Sequence, residues 1–431
     1  MHAPEWRANA PEMTHETLGR PVLFRTMHMG INTSSRRPDS LFWIDAELAR
    51  LERAALLRRL ETRAGMQGPT IELAGSRLIN FGSNDYLGLA GDPRLAEAAA
   101  RAARDEGWGA GASPLLAGRS AAHRALEERL AEFEGTEAAL VFSSGFAANA
   151  GVVAALAERG DCIFADQLNH ASLIDGCRLS RAEVHVYPHA DADGLEELLR
   201  AARGFRRRLI VSDSLFSMDG DAAPLPRLCD LAERHDAMLL LDEAHATGLF
   251  GAAGRGLAEA AGVEGRVAVR IGTLSKALGS IGGFVAGSRS LIDWLVNRAR
   301  PYVFSTAPPA ACCAAATAAL DIVAAEPWRR ETLLTNAAAL RDGLAARGWN
   351  IGRGASQIVP AIVGGAGEAI ALSARLRDAG LYVPAIRPPS VPEGESRLRI
   401  SLSCNHTPET IAGLIAALGE RSGRDAGSIG A

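Results

Sequence analysis

The chain has 431 residues, of which 48% are hydrophobic and 22% charged, and a formal net charge of -4. That length accommodates two domains, and the balance excludes a disordered or fibrous chain. The mild negative charge argues against a general polyanion binder, so no nucleic-acid partner is expected.

The first twenty residues lack the apolar core of a signal peptide. Residues 1–40 are expected to be a loosely ordered extension, with Met13, Met27 and Met29 each offering another start. From about Leu41 to Arg63 the apolar positions recur with helical spacing. IELAGSRLINF then reads as two short extended runs around a turn, completing a segment over 41–90. HRALEERLAEFEG (His123–Gly135) is a helix with Gly135 as its stop.

Apolar runs follow at 138–142, 162–165, 183–187, 208–212, 237–242, 267–271 and 282–287, most of them separated by helix-length segments. Strands alternating with helices imply βαβ units, hence an α/β fold whose large domain (91–305) carries a mostly parallel seven-stranded sheet. The last interval is too short for a crossover helix, so the final strand is expected to run antiparallel. After TAPPA come Ala-rich helices to about Arg347, then IVPAIV, AIALSARLRDAG, LYVPAI, RLRISLS and a helix from about Pro408. This reads as a smaller C-terminal α/β domain, 306–431.

No apolar run reaches spanning length, since Asp321 and Glu326 break the Ala-rich segment, and no membrane partner is expected. None of the six cysteines forms a CxxC pair. That suits reduced thiols in the cytoplasm.

Chemistry gathers where strands end. VFSSGFAANAG (141–151) places a Ser-Ser-Gly turn before a helix; its free amides, with no Cβ at Gly145, make either a phosphate cradle or an ordinary cap. QLNHASLIDG carries His170, either structural or free to stack on a flat cofactor. VSDSLFSMDGD (211–221) brings Asp213, Ser214 and Ser217, while Asp219 and Asp221 read as loop caps. LLLDEAHATG puts Asp242, Glu243 and His245 at the carboxyl end of an apolar strand, where ligands of open α/β sheets gather. A buried carboxylate there wants a cation, a metal or a protonated ring nitrogen. GTLSKALGS (272–280) surrounds Lys276 with small residues that leave its amine room to meet an aldehyde. DEAH also matches a helicase motif, but the required GxxxxGK[ST] loop is missing, which leaves a nucleotide binder as a remote alternative. A lysine, a carboxylate for a pyridinium nitrogen and a cradle for one phosphate together describe pyridoxal 5'-phosphate, and no metal.

Through NFGSNDYLGLA (80–90), SSGFAAN, NHASLIDG, FSMDGD, LDEAHATG, TLSKALGSIGG, FSTAPPA (304–310) and RLRISLS (397–403), the chain resembles the α-oxoamine synthases over roughly residues 45 to 420. The resemblance implies a fold-type I pyridoxal-phosphate transferase. It implies Lys276 as cofactor anchor and base, Asp242 on the ring nitrogen, His245 on the phenolic oxygen and His170 over the ring. Ser217 and Thr273 would add polar contacts, and the Gly145 and Phe146 amides would hold the phosphate. Ser305 and Thr306 would reach it from the other subunit of a homodimer. On the substrate side it implies Asn84, His170, Ser390 and Arg399 around the reactants, with Arg58 (Arg59 nearly as well placed) toward the far carboxylate of the acyl chain. AIRPPSVPEGESRLRISLS (385–403) is most similar to members that join L-alanine to a pimeloyl thioester of CoA or a carrier protein, although those usually have threonine where Ser390 stands. Glycine with a short acyl-CoA is the alternative.

Overall fold

The computed structural model describes residues 40–421, so the expected extension over 1–40 lies almost wholly outside them. The chain divides into two compact units between Arg50 and Leu51. The described part of the first is the start of α1 (Trp43–Arg53), a helix with no buried residue. The helix stops at Arg53, not near Arg63. The Leu56 and Leu57 amides both return to the Leu51 carbonyl, and Ala55 turns the chain with φ of 57°. Arg58 and Arg59 therefore stand beyond the helix.

In the second unit, β1 (Arg63–Ala64), β2 (Thr70–Leu73) and β3 (Ser76–Asn80) form an antiparallel ribbon, as the AGS turn predicts. Next comes α2 (Pro93–Glu106), which the pattern reading passes over. Asp92 caps it by accepting the Arg94 amide, and Pro93 starts it. α3 (Ala121–Glu134) ends at Gly135, whose left-handed conformation closes the last turn.

The main sheet has seven strands: β4 (Ala138–Phe142), β5 (Cys162–Asp166), β6 (Glu183–Tyr187), β7 (Arg208–Asp213), β8 (Met238–Asp242), β9 (Val269–Thr273) and β10 (Gly283–Gly287). Their order is β4-β10-β9-β8-β7-β5-β6, and only β10 runs antiparallel, as expected. β9 starts two residues later than its apolar run and ends two residues later, with Gly272 and Thr273 paired to Phe284 and Gly283. β4, β5 and β9 are buried along their whole length, as strands covered by helices on both faces must be. Two of those helices, α4 (Gly145–Leu156) and α5 (Ala171–Ser180), begin directly beyond the ends of β4 and β5.

A smaller C-terminal domain carries a second sheet, in which β11 (Ile358–Gly364) and a strand at Ala385–Ile386 flank Ser396–Ser401. The run LYVPAI divides: β12 (Leu381–Tyr382) leaves to pair in parallel with β3, and only the residues after Pro384 join the C-terminal sheet, as β13 (Ala385–Ile386) beside β14 (Ser396–Ser401). One apolar core runs from Phe81 and Tyr86 through the Ala-rich helix Ala310–Ala325 to Ile358, Leu398 and Leu414. No single helix among the described residues is long and apolar enough to cross a membrane. All six cysteines are free, and five are buried.

Candidate active site

Because β4, β5, β7, β8 and β9 all point the same way, their carboxyl ends share one edge of the sheet. This topology gathers Gly145, His170, Asp213, Asp242, His245 and Lys276 from a stretch of about 130 residues.

The Lys276 amine lies 2.9 Å from His245 Nε2. Burial lowers its pKa to about 8; Asp242 and Asp213 oppose that shift and Arg399 adds to it. Burial, then the positive charges of Lys276 and Arg399, hold His245 well below the usual imidazole range. The ring is therefore neutral, and Nε2 accepts from the amine while Nδ1 donates to the Tyr86 hydroxyl at 2.7 Å. The Tyr86 hydroxyl donates to Asn84 Oδ1 at 3.0 Å, which also accepts from Arg399 Nη1 at 3.1 Å. Burial keeps the Tyr86 phenol protonated. One hydrogen-bonded chain thus connects the lysine to the buried guanidinium. Arg399 is further fixed by the Ser217 carbonyl at 2.5 Å and the Ser401 hydroxyl at 2.7 Å.

Asp242 is only 3% exposed, and both of its donors are neutral: Asn149 Nδ2 at 2.6 Å and the Ala244 amide at 2.8 Å. A buried carboxylate without a cationic partner is costly, so the site is built to receive one. Beside it in register, Asp213 is pushed well above the carboxylate range by burial and by Asp242, and accepts the His170 amide at 2.7 Å. The His170 ring caps α5 through Ser172 and is exposed on its other side. At the head of α4, Ser144 takes the Ala147 and Ala148 amides, which leaves those of Gly145 and Phe146 to a ligand. A Cβ at Gly283 would lie 2.6 Å from the Gly145 backbone, so two glycines bring this turn close to the sheet. The Thr273 hydroxyl stands beside it, bonded to Ser275 and to the Gly282 carbonyl.

Other expected residues lie elsewhere. Arg58 Nη2 donates to the Pro388 carbonyl at 3.3 Å, whereas Arg59 is spent on Glu52 at 2.8 Å, which separates the two candidates. Arg387 donates to Ala55, and its own carbonyl takes the Ser390 amide at 3.1 Å. Burial, then the nearby Arg58 charge, holds Arg387 below the usual guanidinium range, and neither arginine pairs with a carboxylate of the described residues. Ser217 and Ser390 line one cavity of about 220 Å³. Ser305 and Thr306 follow the exposed Phe304 on a loop and bond to no residue of the Lys276 cluster.

Two readings need correction. Ser214 does not face the cluster. Its hydroxyl donates to Glu243, which also accepts the Leu257 and Ala258 amides and so fastens a loop instead of a ligand. Asp219 and Asp221 are not caps: Asp219 pairs with Arg397, and Asp221 with His189 at 2.8 Å. The sequence reading also leaves Asn149 and Tyr86 without roles. Asn149 stands one helical turn beyond Gly145 in SSGFAAN, and Tyr86 follows Asn84 in NDYLG, so both lie inside motifs already singled out.

The lysine, the buried carboxylate held only by neutral donors and the two amides beside a glycine turn are what an aldehyde, a protonated ring nitrogen and a phosphate need, so the residues present fit pyridoxal phosphate. Comparison with known proteins agrees. The family model for aminotransferase class I and II matches residues 76–418. An 8-amino-7-oxononanoate synthase of Anaeromyxobacter dehalogenans is 54% identical over 379 residues, covering 88% of this chain and 95% of that one. Among solved structures, a serine palmitoyltransferase of Sphingomonas wittichii superposes with a TM-score of 0.84 at 35% identity, covering 88% of this chain and 97% of the other. An 8-amino-7-oxononanoate synthase from Francisella tularensis gives 0.68 at 27% identity, with 79% and 96% covered. By sequence and by fold, the chain belongs to the aminotransferase class I and II family and, within it, to the α-oxoamine synthases, enzymes of fold type I that work with pyridoxal phosphate.

Proposed function

We propose that the protein joins L-alanine to a pimeloyl thioester with loss of CO2, the reaction of the 8-amino-7-oxononanoate synthases in biotin synthesis. The relatives at about half identity support the reaction, and one observation carries the choice of acyl group. Arg58 and Arg387 stand together at the 387–390 segment, and neither pairs with a carboxylate of the described residues. Two guanidiniums bonded to backbone carbonyls and to no described carboxylate suit an acyl chain that ends in a carboxylate. A palmitoyl chain, which ends in a methyl group, would gain nothing from them.

Lys276 would hold the cofactor through its aldehyde, Asp242 would meet the ring nitrogen and His245 the phenolic oxygen. His170 would cover the ring. The Gly145 and Phe146 amides would hold the phosphate, with Thr273 and Ser217 adding polar contacts. When bound, pyridoxal phosphate supplies an electron-withdrawing ring that lets the Cα proton of alanine leave. Asp242 keeps the ring nitrogen protonated, since an adjacent anion favours a cation, and Asn149 holds that carboxylate in place. Arg399 grips the alanine carboxylate, with Asn84 and Tyr86 setting its angle. With the cofactor bound, the Lys276 amine would be the base that takes the alanine Cα proton. A pKa near 8 leaves a useful fraction of free base at neutral pH. The neutral His245 and Tyr86 beside it offer that proton a relay. Arg58 and Ser390 receive the acyl chain.

The active form in this reading is a cytoplasmic homodimer, in which Ser305 and Thr306 of each chain reach the phosphate bound by the other. The protein loaded with pyridoxal phosphate and given L-alanine with pimeloyl-CoA should release free thiol and CO2 one for one. Release only from glycine with acetyl-CoA, or only from L-serine with palmitoyl-CoA, would overturn the substrate assignment and leave the Lys276 chemistry standing.

A further inference from the structure

His189 sits outside the cluster and has no part in the chemistry proposed for it, yet it is tied to it twice. Its Nδ1 lies 3.0 Å from Asp166 at the end of β5, and its Nε2 lies 2.8 Å from Asp221. The ring also meets Phe216 edge-on, with centroids 4.3 Å apart. Both nitrogens therefore face carboxylates, which only the doubly protonated ring satisfies. Burial works against that charge, and the bonds to Asp166 and Asp221 overcome it, raising the pKa to about 10.

Each carboxylate organises a loop of the site. Asp166 also accepts the Leu168 and Ala190 amides, both at 2.8 Å, and so shapes the turn that leads to His170. Asp221 closes the 216–221 loop, where its carbonyl accepts the Phe216 amide at 2.9 Å and the Phe216 carbonyl accepts Gly220 at 2.9 Å. The loop is gripped from the other side as well. Arg397 pairs with Asp219 and Glu395, and Arg399, two residues along the same face of β14, donates to the Ser217 carbonyl. Gly220, at φ of 68°, rests so close to β11 that a Cβ there would lie 2.1 Å from the Ile358 carbonyl. The loop is thus clamped at Asp219, Gly220 and Asp221, and what it presents is the carbonyl that aims Arg399.

We propose that His189, bridging Asp166 and Asp221, is a positioning residue that fixes the 216–221 loop and through the Ser217 carbonyl orients Arg399 for the amino-acid carboxylate. The proposal rests on the reading that Arg399 takes that carboxylate. The charged groups around the ring are Asp166 from β5 and Asp221 from the loop. Across the shared cavity stand Asp219 and Glu395, both engaged by Arg397.

Steady-state kinetics of the holoenzyme decide it. His189→Ala should raise KM for L-alanine about tenfold, with KM for pimeloyl-CoA and the visible cofactor band unchanged and kcat lowered by less than about threefold. Asp221→Asn keeps the side chain's size and one accepting oxygen, so it decides the matter if His189→Ala does not fold, and it should shift the same parameter in the same direction. An unchanged KM for alanine in a folded variant, or loss of alanine binding, acyl binding and cofactor together, overturns the proposal. Arg399→Gln separates the two layers. If it leaves KM for alanine unchanged, the Arg399 reading fails and the proposal with it. If it raises that KM while His189→Ala and Asp221→Asn do not, the positioning role alone fails.

Discussion

Lys276 and Arg58 belong to regions built in opposite ways. The lysine stands at the end of a fully buried strand, among neighbours that are themselves buried and hydrogen-bonded: Asp242 to Asn149, His245 to Tyr86, Arg399 to Asn84 and Ser217. Arg58 is exposed on an irregular stretch and holds the 387–390 segment by a single 3.3 Å bond, and Ser390 beside it is exposed too. A sheet edge fixes geometry, because moving one strand end means moving the sheet. A rim made of two loops far apart in sequence changes without touching the floor. Both a serine palmitoyltransferase and an 8-amino-7-oxononanoate synthase superpose on this chain, so the fold alone does not choose the acyl group. In the function proposed above, the floor would set the chemistry and the rim would select the acyl group.

If that division holds, damage should grade from floor to rim. Lys276→Ala should lower thiol release from L-alanine and pimeloyl-CoA by roughly a thousandfold or more, since anchor and base are lost together. Asp242→Asn should slow exchange of the alanine Cα proton in deuterated water by about a hundredfold, because a neutral amide no longer holds the ring nitrogen protonated. Arg399→Gln should raise KM for alanine some ten- to a hundredfold, the worth of a charge-assisted pair, and leave the acyl KM alone. The lowered lysine pKa gives a subtler check on the floor. In apoprotein the amine is protonated below about pH 8 and free above it, so recombination with pyridoxal phosphate should reach half its maximal rate near pH 8. An ordinary lysine would need a pH above 10. Ser390→Ala should have the smallest effect, a rise of about threefold in KM for pimeloyl-CoA, the loss of one hydrogen bond at an exposed hydroxyl. A floor-sized effect at Ser390 would break the division.

The floor was also the legible part of the sequence. Apolar strands followed by Ser-Ser-Gly, His170, Asp242 and Lys276 mark a sheet edge by pattern alone, because β strands buried on both faces leave continuous apolar runs. What escaped depended on contacts between distant segments. α2 has few large apolar residues and packs largely by alanines against the helix Ala310–Ala325, so its pattern is faint. The departure of β12 to pair with β3 is decided by a partner about three hundred residues away. Asp219 and Asp221 resemble any capping residues in a loop, and only Arg397 and His189, from two other elements, turn them into anchors. Arg58 could not be told from Arg59 until the helix before them was seen to end at Arg53.

The most direct test of floor against rim compares two acyl groups of the same length. Pimeloyl-CoA carries a far carboxylate and heptanoyl-CoA does not. In the wild-type holoenzyme with L-alanine, kcat/KM should favour pimeloyl-CoA by at least about tenfold, and Arg58→Ala should erase most of that preference while thiol release from heptanoyl-CoA stays as it was. Equal kcat/KM for the two acyl groups, or a preference that survives Arg58→Ala intact, would contradict the assignment of the rim and of the pimeloyl substrate with it.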